Sequence, residues 1–339
     1  MVALGQWLAT PGADDMRWLH VADVSAAGGC RRAAVAMAHR LGFPATRTEQ
    51  LALAVTEAAS NLYKHAREGS VLLRICREGG MSGIEMVAID TGPGVANLAD
   101  ALRDGHSTAG TLGVGLGAIR RMADFSDMYS VPGRVTALAA RFWPRAHPPE
   151  GPDCAGLTRP ITGETECGDM YWAGYSGGVL SGALCDGLGH GPLAATAARE
   201  AIAAVSGSAA SEPAAQLERA HRQMAGTRGG ALAIVAIDGS NVAFAGLGNV
   251  AGWVVAGEAR STLVSRPGIA GHQARAFRQQ ECPLPAGAAV ILHSDGLTSR
   301  WDTRSLPGLA VRSSLVIAAA LLGNAAVRRD DAGVLVLKP

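Results

Sequence analysis

Two groups of residues in this chain have the types and spacing for chemistry. In the first, Glu57 and Asn61 stand four apart within Glu57-Ala-Ala-Ser-Asn61, so on a helix they share one face, which Lys64 and His65 extend by a further turn. A carboxylate, an amide and a cation on one face can position a hydroxyl, a magnesium ion and a phosphate. The second group is Asp169, Asp186, Asp295 and Asp330, far apart in sequence but each beside a strand-like segment and most with an adjoining glycine. Taken singly, an Asp-Gly pair is a turn. Four at strand ends, one within Asp186-Gly-Leu-Gly-His-Gly191, can meet however far apart they lie along the chain. Carboxylates with few histidines or thiols favour hard ions such as magnesium or manganese. Two such ions ~4 Å apart can hold a phosphoryl group and lower the pKa of a bridging water.

Two glycine-bearing stretches accompany the first group. Ile89-Asp90-Thr-Gly92-Pro-Gly94 is an apolar strand ending in an aspartate that can accept a hydrogen bond from an exocyclic amine, and its glycines let a base approach the backbone. Gly105-His-Ser-Thr-Ala-Gly-Thr-Leu-Gly113-Val-Gly115-Leu-Gly117 can wrap phosphates, and the helix that follows offers its N-terminal amides to anions.

The elements that must position these residues follow from pattern. Pro144 to Pro152 holds four prolines in nine residues and reads as a linker, because proline removes helix and ladder hydrogen bonds. It sets a first domain at 1–143, a linker at 144–153 and a second domain at 154–339. In the first, Ser25–Leu41 and Arg47–His65 are predicted helices; Leu51, Val55, Ala58, Ala59 and Leu62 give the second an apolar face. Val71–Cys76, Ile84–Ile89, Asp127–Val131 and Arg134–Phe142 are predicted strands, with a helix over Gly115–Ala123. Helices on one face of a mixed sheet fit this order. The second domain is richer in strands: Val179–Cys185, Leu232–Ile237, Val242–Gly246, Gly252–Val255, Ala289–His293 and Val334–Leu337. Helices are predicted at Pro192–Val205, Ala214–Met224 and Ser313–Leu322, giving a layered α/β sandwich.

Composition narrows the function. At 339 residues and 48% hydrophobic, there is apolar material for two cores. A net charge of +1 without a Lys/Arg block argues against nucleic acid or an anionic membrane surface as the main partner. The six cysteines lack C-x-x-C spacing, so they read as reduced thiols rather than a zinc site. Met1–Pro11 is a poor signal peptide, and Leu315–Leu322 is too short for a bilayer span of ~20 residues. A cytoplasmic protein is expected.

Thr56-Glu-Ala-Ala-Ser-Asn-Leu-Tyr-Lys-His65, the Asp90–Gly94 stretch and the Gly105–Gly117 stretch, in this order, resemble the ATP-binding superfamily of gyrase, heat-shock chaperones, histidine kinases and MutL (GHKL). Within it, the stretch is most similar to the RsbT-like switch kinases of bacterial partner-switching systems, over about Val21–Trp143. The resemblance implies that Asn61 ligates the ATP-bound magnesium, Glu57 is the catalytic base for an attacking serine or threonine hydroxyl, and Asp90 reads adenine. Lys64 would join the ATP site, with Gly92, Gly94, Gly113, Gly115 and Gly117 shaping pocket and lid.

The second domain, over about Thr165–Lys338, resembles metal-dependent serine/threonine phosphatases of the PPM class, in the SpoIIE branch and most like its short RsbX-type form. This implies an αββα sandwich and two manganese or magnesium ions, bridged by Asp186 with the Gly187 carbonyl and completed by Asp169, Asp295 and Asp330. Asp186 would thus serve catalysis. His190 is expected to stabilise its loop. Family members often carry threonine two residues after the closing Asp-Asp pair; here Ala332-Gly333 follows, which is expected to weaken the second ion site. Together the halves imply a kinase and a phosphatase acting on STAS-domain proteins. The alternative is a phosphatase whose ATP-binding half sequesters a sigma factor without turnover.

Overall fold

The computed structural model describes residues 7–9, 16–78, 80–95, 98, 115–146, 151–207, 212–327 and 329–339. The chain divides into two compact units. One spans 11–150; the other comprises 151–339 together with a short strand β1 (Trp7–Ala9).

In the 11–150 unit, β2 (Met16–His20) leads to α1 (Val24–Arg40) and α2 (Ala45–His65). Asp23 caps α1, its carboxylate accepting from the Ser25 and Ala26 N–H groups at 2.8 and 3.1 Å. Gly42, at φ 70°, turns the chain into Pro44 and α2. Then come β3 (Gly69–Glu78), β4 (Met81–Asp90), α3 (Leu116–Met122), β5 (Phe125–Val131) and β6 (Val135–Phe142). The sheet runs β2-β3-β4-β6-β5. Every pairing in it is antiparallel, where a mixed sheet was expected. The reason is connection length: β3–β4 and β5–β6 are hairpins, which force antiparallel neighbours, and the long excursion after β4 returns to the far edge rather than beside it. Alternate residues Val71, Leu73, Ile75, Ile84, Met86 and Ala88 point to the helices, where Leu51, Val55, Ala58, Ala59 and Leu62 of α2 meet them in one core.

The opposite alternation places Arg74, Glu85 and Arg141 side by side on β3, β4 and β6. Glu85 is 1% exposed and takes both guanidinium groups, Arg141 Nε at 2.9 Å.

The second unit contains β7 (Asp153–Arg159), β8 (Asp169–Ser176), β9 (Val179–Gly187), α4 (Pro192–Ser206) and α5 (Pro213–Gln223). It continues through β10 (Gly230–Asp238), β11 (Asn241–Leu247), β12 (Ala251–Ala256), β13 (Ala259–Leu263), β14 (Gln280–Pro283) and β15 (Ala289–His293). It closes with α6 (Ser314–Ala325) and β16 (Ala332–Lys338). Two antiparallel sheets form, β1-β8-β9-β10-β11-β14 and β13-β12-β15-β16-β7. Tyr171, Leu184, Val235 and Phe244 of the first meet Val254, Val290, Leu292 and Leu335 of the second in the inner core. Helix α4 covers the outer side of the first sheet through Ala197, Ala201 and Ile202, and α6 lies against β7 and β16. The αββα sandwich is as expected. Trp7–Ala9 pairs with Ala173–Tyr175, so the chain's early strand joins this sandwich rather than the 1–143 domain to which sequence had assigned it. Three residues are too short to carry a readable pattern.

Candidate active sites

The second unit builds its site from strand ends. Because β8 and β9 are antiparallel, the first residue of β8 falls opposite the end of β9, and Asp169 pairs directly with Asp186. Like charges directly opposite one another on a sheet repel. Asp295 follows β15, and Asp330 and Asp331 precede its neighbour β16, so the second sheet delivers three more carboxylates to the same end. Stacking of the sheets brings the two sets together: the Ser294 hydroxyl of the second sheet donates to Asp169 Oδ2 at 2.5 Å.

Electrostatics report the crowding. Asp169 is 4% exposed; burial, then the charge of Asp186, holds its carboxyl well above the ordinary carboxylate range. Burial, then Asp295 and Asp330, push Asp186 up to about 8. Burial and Asp330 raise Asp295, which is hydrogen-bonded to Asp186. Asp169 Oδ1 is buried with no hydrogen-bond partner. A buried acceptor without a donor, inside a crowd of carboxylates, is a position that a hard divalent cation fits. Among the described residues no three His, Cys, Asp or Glu side chains already converge as a finished ligand set. Ion binding would therefore draw Asp186 and Asp295 out of their mutual hydrogen bond.

The neighbouring residues have positional roles that sequence did not reveal. Ser294 is fully buried; its hydroxyl accepts from the Gly333 N–H at 2.9 Å while donating to Asp169. Asn249 donates its amide to Asp295 Oδ2. Asp331 accepts from the Ile161 and Gly168 N–H groups, both at 2.7 Å, and so ties down the loop that enters β8. Ser294, next to Asp295, and Asp331, next to Asp330, had a local signal in the sequence; Asn249 had none. His190 Nδ1 lies 2.9 Å from Glu164 Oε1, a contact that holds the Asp186–Gly191 loop to the loop before β8. Gly187 must be glycine, since a Cβ there would lie 2.2 Å from the Ala194 carbonyl oxygen. A Cβ on Gly333 would come within 2.9 Å of Asp169 Oδ2, so the absent side chain leaves this carboxylate its room.

The first unit gathers its candidates around the C-terminal end of α2. Glu57 and Asn61 are half-buried one turn apart, and Lys64 is exposed. A Cβ on Gly92 would meet Asp90 Oδ1 and the His65 carbonyl, both at 2.8 Å, so the Asp90 loop packs on the end of α2. Gly94, at φ 77°, packs as closely on the β5–β6 hairpin, where a Cβ would lie 2.8 Å from Pro132 Cα. The Gly92 N–H donates to Asp90 Oδ1 at 2.7 Å. Burial raises the Asp90 carboxyl, while the Gly92 N–H and the Thr136 hydroxyl pull it down. Ser130, bonded to Thr136 at 3.1 Å, accepts the Val95 N–H at 2.9 Å and fixes the loop's far end. Gly115 caps α3, Gly117 is buried within it, and α3 packs on α2. Gly113, with the stretch 105–112, lies outside the described residues.

Fold and site define a class: a histidine-kinase-type nucleotide domain in tandem with a SpoIIE-type phosphatase sandwich. Residues 21–139 match the family described as histidine kinase-like ATPase domain, and 176–338 match stage II sporulation protein E (SpoIIE). The serine/threonine-protein kinase RsbT of Bacillus subtilis (strain 168) is 33% identical over 109 residues, covering 32% of this chain and 82% of that protein. Through its first unit the chain belongs to the family of this kinase, and its second unit carries the SpoIIE-type phosphatase domain. A solved structure from work on the bacterial stressosome as a modular system adapted to control secondary messenger signaling is 28% identical. It covers 56% of this chain and 100% of its own, at a TM-score of 0.52. RsbX in complex with magnesium is 21% identical, covering 55% and 94%, at a TM-score of 0.49. No described helix is long and apolar enough to cross a membrane.

Proposed function

We propose that this chain both adds and removes phosphate on serine or threonine of a STAS-domain partner. What supports the reading is the charge coupling of Asp169 to Asp186, and of Asp186 to Asp295 and Asp330, beside a buried Asp169 oxygen with no donor, in a chain whose other unit is of the RsbT family.

In the phosphatase half, Asp169, Asp186, Asp295, Asp330 and the Gly187 carbonyl would hold two manganese or magnesium ions. When bound, these supply charge neutralisation for a phosphoryl group and an acidified water. The chain's own part is positional. Ser294 fixes the Asp169 carboxylate, Asn249 fixes Asp295, and Asp331 fixes the loop behind Asp169. The raised carboxyls must give up protons for cations to enter, so affinity for the ions should rise with pH.

In the kinase half, Asn61 would hold the magnesium of ATP and Asp90 the adenine amine, with Lys64 and Gly92, Gly94, Gly113, Gly115 and Gly117 completing pocket and lid. Glu57, one turn before Asn61, would take the proton of the attacking hydroxyl. Phosphoryl transfer asks mainly for positioning and charge neutralisation, so this sparse set is sufficient.

The test is reconstitution of the purified protein with a STAS-domain partner, ATP and manganese. Asn61→Ala should abolish phosphate transfer and Asp186→Ala phosphate release. Glu57→Gln should keep ATP and lose turnover. If both alanine variants behave as wild type, the site assignments are wrong; if Glu57→Gln turns over normally, the base is elsewhere.

A further inference from the structure

Asp295 is presented by a turn that closes on one backbone oxygen. The Ser294 carbonyl accepts the Leu297 N–H at 3.2 Å, and His293 Nδ1 lies 2.8 Å from the same oxygen. The Ser294 N–H donates to the Gly333 carbonyl at 3.0 Å, so the residue before Asp295 is held at both its backbone groups. A carbonyl oxygen can only accept, so the His293 contact is a hydrogen bond only when Nδ1 carries the ring's proton.

What puts the proton there lies at the other end of the ring. His293 ends β15, is 1% exposed, and faces away from the inner core that takes Val290 and Leu292. Trp253 of β12 pairs with Ile291 and so stands diagonally across from His293 on that face. Its Nε1–H donates to His293 Nε2 at 3.2 Å, and the Trp301 Nε1–H donates to the same nitrogen at 3.3 Å. An indole N–H donates and never accepts, so two of them leave Nε2 bare and fix the proton on Nδ1. Arg260 lies over both indoles, 3.8 Å from the Trp253 ring centroid and 4.6 Å from that of Trp301, and keeps them in place.

We propose that His293 is a positioning residue for the metal site: its Nδ1–H holds the Ser294 carbonyl, and with it the turn that presents Asp295, in a tautomer set by Trp253 and Trp301. This rests on the phosphatase reading above. Neither the histidine nor the tryptophans touch an ion; they act through the backbone of Ser294.

The experiment compares wild type, His293→Asn, His293→Gln and Asp186→Ala. An asparagine amide N–H can stand in for Nδ1–H, and a glutamine amide oxygen for Nε2, so each variant keeps one end of the ring's bonding. Nitrogen NMR of the metal-free, histidine-labelled wild type reads the tautomer, calorimetric titration reads manganese affinity, and amide exchange reads the Leu297 N–H. Loss of a group that orients a metal ligand costs about 10- to 100-fold in affinity. His293 acts through one peptide group, so His293→Gln should lose about tenfold, the lower end of that range. His293→Asn should recover most of the affinity, although it leaves both indoles without an acceptor and melts at a lower temperature. A proton on Nε2 in the wild type, an unchanged manganese affinity in His293→Gln, or equal losses in the two variants would each overturn the assignment, the last by showing a packing role alone. The wild-type tautomer decides even where a variant does not fold. If the wild type binds manganese no better than Asp186→Ala, the phosphatase reading fails instead. The tautomer and the Leu297 exchange, expected to be faster in His293→Gln than in His293→Asn, then still decide for or against His293.

Discussion

Replacing Ser294 by alanine removes one hydroxyl and strands two partners. The hydroxyl donates to Asp169 Oδ2 at 2.5 Å and accepts from the Gly333 N–H at 2.9 Å, all inside a fully buried site. The variant loses the bond to the carboxyl and leaves a buried N–H without its acceptor. A lost bond is worth about 1 kcal/mol and an unsatisfied buried donor costs about 1–3 kcal/mol more. The sum, about 2–4 kcal/mol, corresponds to a fall of roughly 5–15 °C in melting temperature for a domain of this size. Ser294→Thr keeps the hydroxyl and should lie between the two. Scanning calorimetry with the manganese-free protein reads the fold directly, and manganese titration reads the freed Asp169 carboxyl as weaker binding. A Ser294→Ala protein that melts within about 1 °C of wild type and binds manganese equally would refute the bridging role.

Other outcomes follow from the same geometry. Gly296→Ala should destabilise the phosphatase unit severely, lowering its melting temperature in scanning calorimetry, since its Cβ would fall 1.8 Å from the Asp331 carbonyl oxygen. Glu85→Gln should cost the kinase unit about 3–5 kcal/mol by leaving Arg74 and Arg141 without their shared carboxylate, measured by chemical denaturation. Burial alone would raise the Glu85 pKa, but the two arginines bring it below its ordinary 4.5. The unfolded chain therefore binds this proton more tightly than the folded one. The stabilisation is complete above pH 4.5 and fades as pH falls below it, so wild type and Glu85→Gln should converge in acid. For Asn61→Ala, calorimetry with Mg-ATP should show binding weakened by about tenfold or more, with the melting temperature unaltered.

The sequence made some of these features plain and concealed others for physical reasons. The α2 face was readable because Leu51, Val55, Ala58 and Leu62 repeat at the helical period and are buried by one neighbour, the sheet. Asp186 and Asp295 stand out locally because an apolar run leads into Asp-Gly, whereas Asp169 opens its strand and Asp330 precedes its own, Asp330 with no adjoining glycine. Asn249 was not, because its role comes from a loop 46 residues from Asp295 and no periodicity links them. At the Ala332-Gly333 pair, the bare Gly333 leaves the Asp169 carboxylate its room, and its backbone N–H donates to the Ser294 hydroxyl. Direction in the first sheet was missed because pairing order, unlike strand existence, depends on where a long connection returns.

Strand β1 has a consequence for anyone who wishes to take the protein apart. Its three residues sit on β8, ahead of the kinase unit, while the rest of the phosphatase follows that unit. The kinase is thus an insertion within the phosphatase's chain, entered at one seam and left at another. A single protease nick in 144–152 would leave fragments still laced together by the β1–β8 ladder. Separate expression of 151–339 would bare the edge of the strand that begins at Asp169, inviting a stray strand to fill it.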